Sequence, residues 1–491
     1  MLRRIRAGWP GLRAVGYAAL LGVLTACGQA PLGAWYLSLP ALAALCWLIG
    51  RSSAPVWLAW LAGAGYFAAA LNWIVQPFMV DAARDGWMAP FALALMAFGM
   101  ALFWALAGLL SRYSRNATLG FAVALAATDL LRGYVLTGFP WALIGHIWID
   151  TPVAQLAAYL GPSGLSLLTT LLVAGLALRK PLPASLAVAT LAASWGYGAW
   201  TLAQPMPADR AVTLRLVQPN AEQQAKWDPA LAQQFFDRLL SLTAAKPTPD
   251  LVIWPETSLP YLLDLHPEIG SMIASAGDGA PVAIGMQRVE GDKAWNSLAV
   301  IEPDGMTSAT YDKHHLVPFG EYIPFGDALF QWANISAFAS QVGNGYMAGP
   351  GPQLLNLGPK LGRALPLICY EAVFPQDLRG TERPDWLLQI TNDAWFGHWT
   401  GPFQHAAQAR LRAIEQGLPL VRVANTGVTA VYDARGRVTA SLPFEIAGYL
   451  DAALPAALPI TPYARFGEMP LLVLLAGLAA CLIRPRKRSH P

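Results

Sequence analysis

Charged residues are distributed unevenly along this chain of 491 residues, and that unevenness limits the folds open to it. Residues 1–204 carry eleven Lys or Arg and four Asp or Glu, whereas most of the 33 basic and 30 acidic residues come later. Charged residues make up 13% of the chain, against about 25% in a soluble globular protein. We therefore predict a membrane-embedded part followed by a water-soluble part.

Eight apolar stretches are candidates for membrane-spanning helices, which need about 20 mostly apolar residues. They cover roughly residues 12–27, 33–50, 54–75, 89–111, 117–135, 161–178, 183–202 and 469–484. The fifth contains Asp129 and Arg132. Ionisable residues at that depth usually face the interior of a helix bundle or mark a polar path.

The basic residues test this count, because short cytoplasmic loops carry an excess of Lys and Arg. Five basic clusters flank the stretches: Arg3, Arg4 and Arg6; Arg51; Arg112 and Arg115; Arg179 and Lys180; and Arg484, Arg486, Lys487 and Arg488. With eight spans, all five clusters fall on the cytoplasmic side. The segment from about 205 to 465 then lies on the opposite side of the membrane.

From about residue 212 the sequence changes to short apolar stretches separated by turn residues and helical stretches. The predicted strands are residues 212–217, 251–254, 281–286, 297–301, 364–369, 386–391, 420–424 and 429–432, and the predicted helices are 229–243 and 404–416. This alternation predicts an α/β domain with αββα layers. We divide the chain into a seven-span transmembrane bundle (1–204), a catalytic domain (205–465) and an eighth span with a basic tail (466–491). The net charge of +3 offers no basic stripe for nucleic acid.

Of the four cysteines, only Cys369 lies outside the apolar stretches. One cysteine cannot form an internal disulfide, so it is either a packed side chain or a nucleophile. Cys27 follows Leu24-Thr25-Ala26, which is typical of a lipoprotein cleavage site. A second apolar stretch follows it directly, so a first transmembrane helix is the better interpretation.

Three side chains of useful chemistry lie beside predicted strands. Glu256 ends Leu-Val-Ile-Trp-Pro-Glu, Cys369 ends Leu-Pro-Leu-Ile-Cys, and Lys313 precedes a short apolar run. A carboxylate can take the proton of a thiol, and an ammonium can stabilise the thiolate and an oxyanion. Together they suit acyl transfer through a thioester. Taken singly, each has an ordinary alternative: a packed cysteine, a turn carboxylate or a solvated lysine.

The motifs around these residues occur in a characteristic order. They are Trp-Pro-Glu (254–256), Lys-x-x-Leu-Val-Pro-Phe-Gly-Glu (313–321), Ile-Cys-Tyr-Glu (368–371) and Thr-Asn-Asp-Ala-Trp-Phe-Gly (391–397). With seven apolar spans before them and one after, the chain resembles the apolipoprotein N-acyltransferase family of the nitrilase, or carbon–nitrogen hydrolase, superfamily.

The resemblance implies a multi-pass protein of the bacterial inner membrane whose nitrilase-like domain faces the periplasm. It implies a ping-pong reaction without cofactor or metal. An acyl chain passes from a phospholipid, typically phosphatidylethanolamine, to Cys369, and then to the α-amine of a diacylglyceryl-cysteine in an apolipoprotein. Glu256 would be the general base, Lys313 the stabiliser of the thiolate and oxyanion, and Cys369 the nucleophile.

Six further residues are expected to support the site or bind substrate. They are Trp227, Asn296, Glu321, Tyr370, Glu371 and Trp395. Several keep a second interpretation: Glu321 as an orienting partner of Lys313, Glu371 as a structural carboxylate, Asn296 as a turn residue. Trp395 lies in one of two segments rich in aromatic residues and glycine, 321–349 and 394–403, which would admit acyl chains or form ordinary core.

His314 and His315 resemble a metal-binding pair, but adjacent residues of a strand point to opposite faces. We therefore expect no metal site there. Two other functions stay open from the residues alone. One is a membrane-tethered amidase in which water resolves the thioester. The other is an inactive scaffold or transport-like protein, which the three intact residues disfavour.

Overall fold

The computed structural model describes residues 11–223, 226, 228–324 and 345–484. The chain divides into two compact units. The first comprises Met1–Gln204, Trp399–Ala407 and Thr461–Pro491, and the second comprises Pro205–His398 and Gln408–Ile460.

Helices of the described residues are numbered here in chain order. They are α1 Leu12–Ala26, α2 Trp35–Arg51, α3 Pro55–Ala70, α4 Ala82–Asp85, α5 Ala89–Ser111, α6 Ala117–Arg132, α7 Ala157–Ala177, α8 Pro181–Ala203, α9 Pro229–Thr243, α10 Glu268–Gly277, α11 Gly358–Leu361, α12 Gly401–Gln416, α13 Pro462–Phe466 and α14 Met469–Leu482. A helix is therefore present at each of the eight places where the sequence predicts a span.

Within the described residues, two helical stretches are long and apolar enough to cross a membrane, Ala82–Ser111 and Pro152–Ala177. A third is added if Pro55–Ala70 and Asn72–Met79, bent by 49° at their junction, count as one span. Helices α1, α2 and α14 are apolar but shorter. Eight spans therefore remain a prediction.

The ionisable pair of α6 lies inside the first unit. Arg132 Nη2 lies 2.7 Å from Asp129 Oδ1, and both side chains are almost fully buried. The second carboxylate oxygen accepts hydrogen bonds from the Ile144 N–H at 3.1 Å and the Ser166 hydroxyl at 3.0 Å. The expectation that these residues face the interior is confirmed, and the charges are paired as buried charges must be.

The described residues of the second unit form twelve strands. They are β1 Thr213–Gln218, β2 Leu251–Ile253, β3 Val282–Glu290, β4 Lys293–Ile301, β5 Thr307–Asp312, β6 Leu355–Asn356, β7 Arg363–Ile368, β8 Trp386–Thr391, β9 Leu420–Ala424, β10 Ala430–Tyr432, β11 Val438–Ser441 and β12 Gly448–Ala453. They form two six-stranded sheets with the orders β12-β1-β2-β3-β4-β5 and β11-β10-β9-β8-β7-β6.

Both sheets are mixed, with parallel strands at the centre. Strands β1, β2 and β3 are parallel in the first sheet, and β7, β8 and β9 in the second. Strands β2, β8 and β9 are buried along their whole length, as expected of parallel strands covered on both faces. The predicted α/β domain is confirmed, with two mixed sheets.

Helices cover these sheets through apolar faces that match the helical period. Phe236 and Leu239 of α9 pack with Trp254 and Ile284 of the first sheet region. Ala409 and Ala413 of α12 pack with Leu365, Leu387 and Leu420 of the second sheet. Contacts between β1 and β9 and between β4 and β7 join the two sheets.

Some elements escaped the sequence prediction. Strand β5 reads Thr-Ser-Ala-Thr-Tyr-Asp and is mostly exposed, so it shows no apolar alternation. Strands β6, β11 and β12 and helix α10 were also missed. The strand predicted at 364–369 ends at Ile368 in the structure, one residue before the predicted end, because Cys369 begins a 3-10 helix, Cys369–Val373.

Candidate active site

The chain brings its three candidate catalytic residues together from three strand ends of the second unit. Glu256 follows β2, Lys313 follows β5 directly, and Cys369 follows β7 directly. All three side chains are buried, with exposed fractions of 6%, 1% and 5%. In a parallel arrangement, chain segments that leave the carboxyl ends of strands meet at one edge, which is where α/β proteins commonly place their sites.

Glu256 is held from two sides. Asn296 Nδ2, on β4, donates to Oε1 at 2.7 Å, and the Asn392 N–H donates to Oε2 at 2.8 Å. The turn that carries Glu256 lies directly on β3 at Gly285. A Cβ atom there would lie 2.2 Å from Pro255 O and 2.6 Å from Glu256 Cα, so only glycine allows this approach.

Lys313 lies between two carboxylates. Its Nζ is 2.9 Å from Glu321 Oε1 and 3.5 Å from Glu256 Oε1. Glu321 also accepts from Asn296 Nδ2 at 2.9 Å and from the Val317 N–H at 2.9 Å. The geometry supports the interpretation of Glu321 as an orienting partner of Lys313, and it places Asn296 in the site and not in a turn.

These charges set the protonation of the site. Burial alone would lower the pKa of Lys313, but the carboxylates of Glu321 and Glu256 raise it above its ordinary value. Burial raises the pKa of the Cys369 thiol well above its ordinary value, and the Glu256 charge raises it further. The Lys313 ammonium opposes that rise. In the resting site Cys369 is therefore a thiol and Lys313 an ammonium.

Cys369 has an unusual backbone conformation, with φ of +51°. Residues other than glycine rarely adopt this left-handed region, and when they do so they are often at functional sites. Its carbonyl oxygen accepts a hydrogen bond from Gln389 Nε2 of β8 at 3.1 Å.

Glu371 is fully buried and ties two parts of the site together. Its Oε2 accepts from the Ile368 N–H at 2.7 Å, just before the cysteine. Its Oε1 accepts from the Tyr311 hydroxyl and the His314 N–H, both at 2.8 Å, on either side of Lys313. The contacts support its alternative interpretation as a carboxylate that positions Cys369 and Lys313.

The other predicted supporting residues are placed differently. Tyr370 is buried, and its ring meets those of Phe374 and His315 edge to face. Trp395 is half-buried in a 3-10 helix after β8. Trp227 and the aromatic residues of 325–344 lie outside the described residues.

The expectation that His314 and His315 point in opposite directions is wrong. They lie beyond the end of β5, in a loop, and ring nitrogens of both approach the Asp377 carboxylate, at 3.4 and 2.9 Å. Donor atoms of the three residues lie within 4.8 Å of one another, close enough to hold a metal ion. Burial would lower the pKa of His314, but hydrogen bonds to Asp377 and Glu371 raise it to about 9. A protonated His314, paired with the carboxylates of Asp377 and Glu371, therefore already balances negative charge in this group.

Lys226 is a further member of the site and was not among the residues predicted from the sequence. Its buried ammonium donates to Thr257 Oγ1 at 2.9 Å and to the Glu256 carbonyl at 3.3 Å. Burial lowers its pKa to about 8, although the Glu256 charge acts in the opposite direction. The sequence feature that could have identified Lys226 is its position next to Trp227, which was predicted to support the site.

Comparisons with known proteins decide the family. The apolipoprotein N-acyltransferase N-terminal domain family matches residues 21–176, and the carbon-nitrogen hydrolase family matches residues 204–459. An apolipoprotein N-acyltransferase of Caulobacter vibrioides is 40% identical over 467 residues, with 88% of this chain and 87% of that protein covered. This chain belongs to the apolipoprotein N-acyltransferase family.

A second apolipoprotein N-acyltransferase, from Rhodopseudomonas palustris, is 37% identical and covers 99% of this chain and 98% of its own length. One from Bradyrhizobium diazoefficiens is 39% identical, with 87% and 86% covered. The family predicted from the sequence motifs is confirmed.

Proposed function

We propose that this protein transfers an acyl chain from a phospholipid to the N-terminal amine of diacylglyceryl-cysteine in apolipoproteins, through a thioester on Cys369. The observation that carries the proposal is the buried cluster of Glu256, Lys313 and Cys369 in a member of the apolipoprotein N-acyltransferase family. We take phosphatidylethanolamine as the typical donor.

The first half-reaction forms the thioester. The Cys369 thiol is protonated at neutral pH because its pKa is raised by burial and by Glu256, so a base must take the proton during attack. Glu256 accepts it as the sulfur attacks the ester carbonyl. The Lys313 ammonium stabilises the oxyanion of the tetrahedral intermediate. The C–O bond then breaks, and the leaving lysophospholipid oxygen takes the proton from Glu256.

The second half-reaction consumes the thioester. The acceptor amine attacks its carbonyl carbon, Glu256 accepts a proton from the nitrogen, and Lys313 again stabilises the oxyanion. The C–S bond breaks, the amide forms, and the sulfur recovers a proton from Glu256. Asn296 Oδ1, which has no hydrogen-bond donor among the described residues, is an acceptor for an N–H of the incoming amine.

The membrane arrangement belongs to the same proposal. Eight helices cross the bacterial inner membrane, and the second unit faces the periplasm, where both lipid donor and lipidated acceptor are present. The apolar helices of the first unit support this arrangement, as does the distribution of basic residues.

The test is mass spectrometry of the purified protein after incubation with phosphatidylethanolamine. We expect an acyl mass on Cys369, lost after addition of a diacylglyceryl peptide that becomes N-acylated. Cys369→Ala should abolish charging, and Cys27→Ala should not. Loss of the acyl mass to water with the peptide unchanged would instead support an amidase, and the absence of any acyl mass would contradict the proposed chemistry.

A further inference from the structure

A second buried network contacts Cys369 and is formed by β8, β9 and the turn after β8. Gln389, Thr391, Asp393 and Arg422 are all fully buried. Gln389 and Arg422 are direct neighbours in the parallel register of β8 and β9. None of the four was among the residues predicted to form the site.

Arg422 is the anchor of this network. Its guanidinium donates to Gln389 Oε1 at 2.6 Å, to the Val428 carbonyl at 3.0 Å and to the Asp393 carboxylate. The loop after β9 approaches Asp393 closely: a Cβ at Gly427 would lie 2.1 Å from its Oδ2. An arginine and a carboxylate that are both fully buried are held in place by such a set of hydrogen bonds.

Two branches of the hydrogen-bond network connect Arg422 to Cys369. Gln389, whose amide orientation is fixed by Arg422, donates to the Cys369 carbonyl at 3.1 Å. Thr391 donates its hydroxyl to Asp393 Oδ1 at 3.0 Å and is also in hydrogen-bond contact with the Cys369 thiol. The first branch supports the left-handed backbone of the nucleophile, and the second reaches its sulfur.

A hydroxyl has one proton, so Thr391 can donate to Asp393 or to the sulfur, but not to both at once. While Cys369 is a thiol, Asp393 is the better acceptor. Once the sulfur is a thiolate it needs a donor, and rotation about the C–O bond supplies one. Asp393 keeps the Arg422 guanidinium during that change, so its carboxylate stays paired.

We propose that Thr391 is a switchable hydrogen-bond donor to the Cys369 thiolate and that Arg422 makes the switch possible by holding Asp393. The inference rests on the proposed function, since it needs Cys369 as the nucleophile. The proton of Thr391 stays on its own oxygen throughout, and only the acceptor of its hydrogen bond changes. Thr391 touches the reacting sulfur, whereas Arg422 and Gln389 are positioning residues.

The charged groups that face the thiol give the sign of the effect. Glu256, after β2, and Asp393, after β8, raise the pKa of Cys369 in addition to burial. Lys313, after β5, and the Thr391 hydrogen bond lower it. Removing the hydroxyl should therefore move the thiol pKa further upward.

The test is the pH dependence of Cys369 alkylation by iodoacetamide in the full-length protein, quantified by peptide mass mapping. Thr391→Val should shift the midpoint upward by about one to two pH units, because hydrogen bonds to charged groups are among the stronger ones. Thr391→Ser should restore it. Arg422→Gln should shift it in the same direction, and Arg422→Lys less so.

A matched control is Thr243→Val, which removes another buried hydroxyl, the acceptor of Trp254 Nε1 at 2.8 Å. It should leave the midpoint unchanged. The Thr391→Val protein should also charge from phosphatidylethanolamine about ten times more slowly at unchanged half-saturating lipid.

Two failures can be told apart. If the wild-type protein charges normally and Thr391→Val keeps the wild-type midpoint, the switch is wrong and the proposed function stands. If wild-type Cys369 alkylates but never charges with lipid, the proposed function itself fails. Arg422 variants that do not fold leave the Thr391 series to decide.

Discussion

Two buried ionic clusters of this protein show how differently charge is used. In the first unit, Asp129 and Arg132 form a pair of one carboxylate and one guanidinium, and both carboxylate oxygens have protein donors. In the second unit, Glu256 and Glu321 both lie within ion-pair distance of the Lys313 ammonium, and the buried Lys226 ammonium donates to the Glu256 carbonyl. The Asp129–Arg132 pair compensates buried charge within the first unit, whereas the Glu256 cluster lies beside Cys369, whose thiol pKa is raised by burial and by the Glu256 charge and lowered by Lys313.

The two clusters do not differ in burial; they differ in that the second lies beside the Cys369 thiol. Burial of charge is costly in both clusters and is offset by partners. Glu256 would take the thiol proton in the proposed reaction, and Lys313 is oriented chiefly by Glu321, at 2.9 Å against 3.5 Å from Glu256. Variants of the two clusters should therefore separate chemistry from stability.

Glu256→Gln should have the largest effect. It removes the general base, so acyl transfer should fall by about 10²–10⁴-fold. It also removes a negative charge that raises the thiol pKa, so the midpoint of Cys369 alkylation should move to lower pH. The rate of acyl transfer and the pH midpoint of Cys369 alkylation are both measured on the purified protein. Glu290→Gln, at an exposed ion pair with Arg288, is the control. An alkylation midpoint unchanged or moved to higher pH would contradict the assigned electrostatics.

Lys313→Met should come next and shift the midpoint the other way. Loss of the ammonium removes the charge that lowers the thiol pKa, so the alkylation midpoint should rise. Loss of an oxyanion donor should reduce acyl transfer by about 10²–10³-fold. Lys293→Met, at an exposed position of β4, should change neither quantity. If the alkylation midpoint moved in the same direction in the Glu256 and Lys313 variants, the substitutions would be acting through packing and not through charge.

Gly285→Ala tests whether backbone contact holds Glu256. The added Cβ overlaps the Pro255–Thr257 backbone, so the turn must move, and a displacement near 1 Å can cost about 10²-fold in rate. Gly448→Ala, where a Cβ meets only Leu442 at 4.0 Å, is the matched control. Acyl transfer at the wild-type rate would show that the turn tolerates displacement.

Asp129→Asn should have the smallest effect on the chemistry. It leaves Arg132 buried without its counter-charge, which costs about 3 kcal/mol or more in stability. Thermal unfolding in detergent should therefore occur at lower temperature, while the pH dependence of Cys369 alkylation stays at the wild-type midpoint. A shifted midpoint would break the distinction between the two clusters.

Particular residues show how far the sequence predicts this structure. Strands such as Trp386–Thr391 and the helix Pro229–Thr243 were predicted at their observed bounds, because apolar pattern and turn residues are local signals. Strand β5 was missed because its polar sequence pairs with β4 only in the folded sheet. The opposed orientation predicted for His314 and His315 failed because they follow a strand instead of lying in one.

The residues of the candidate site likewise divide into those that the sequence indicates and those that only the folded structure shows. Glu256, Lys313 and Cys369 could be named from motifs beside strands. Arg422 and Gln389 could not be, because a polar residue in an apolar strand carries no signal of what it contacts. Asp393 lies in the motif 391–397, but the motif does not show that it pairs with Arg422. Lys226 was visible beside Trp227, but its contact with the Glu256 turn was not.

The sequence by itself determined the division into an apolar and a polar part, the family and the three candidate catalytic side chains, since these depend on composition and on short motifs. The tertiary structure alone decided what those side chains can do. Glu256 and Lys313 are 57 positions apart, and their effect on the thiol depends on distance and burial that no local pattern encodes. The left-handed turn at Cys369, and the network that reaches its sulfur, exist only where separate strands meet.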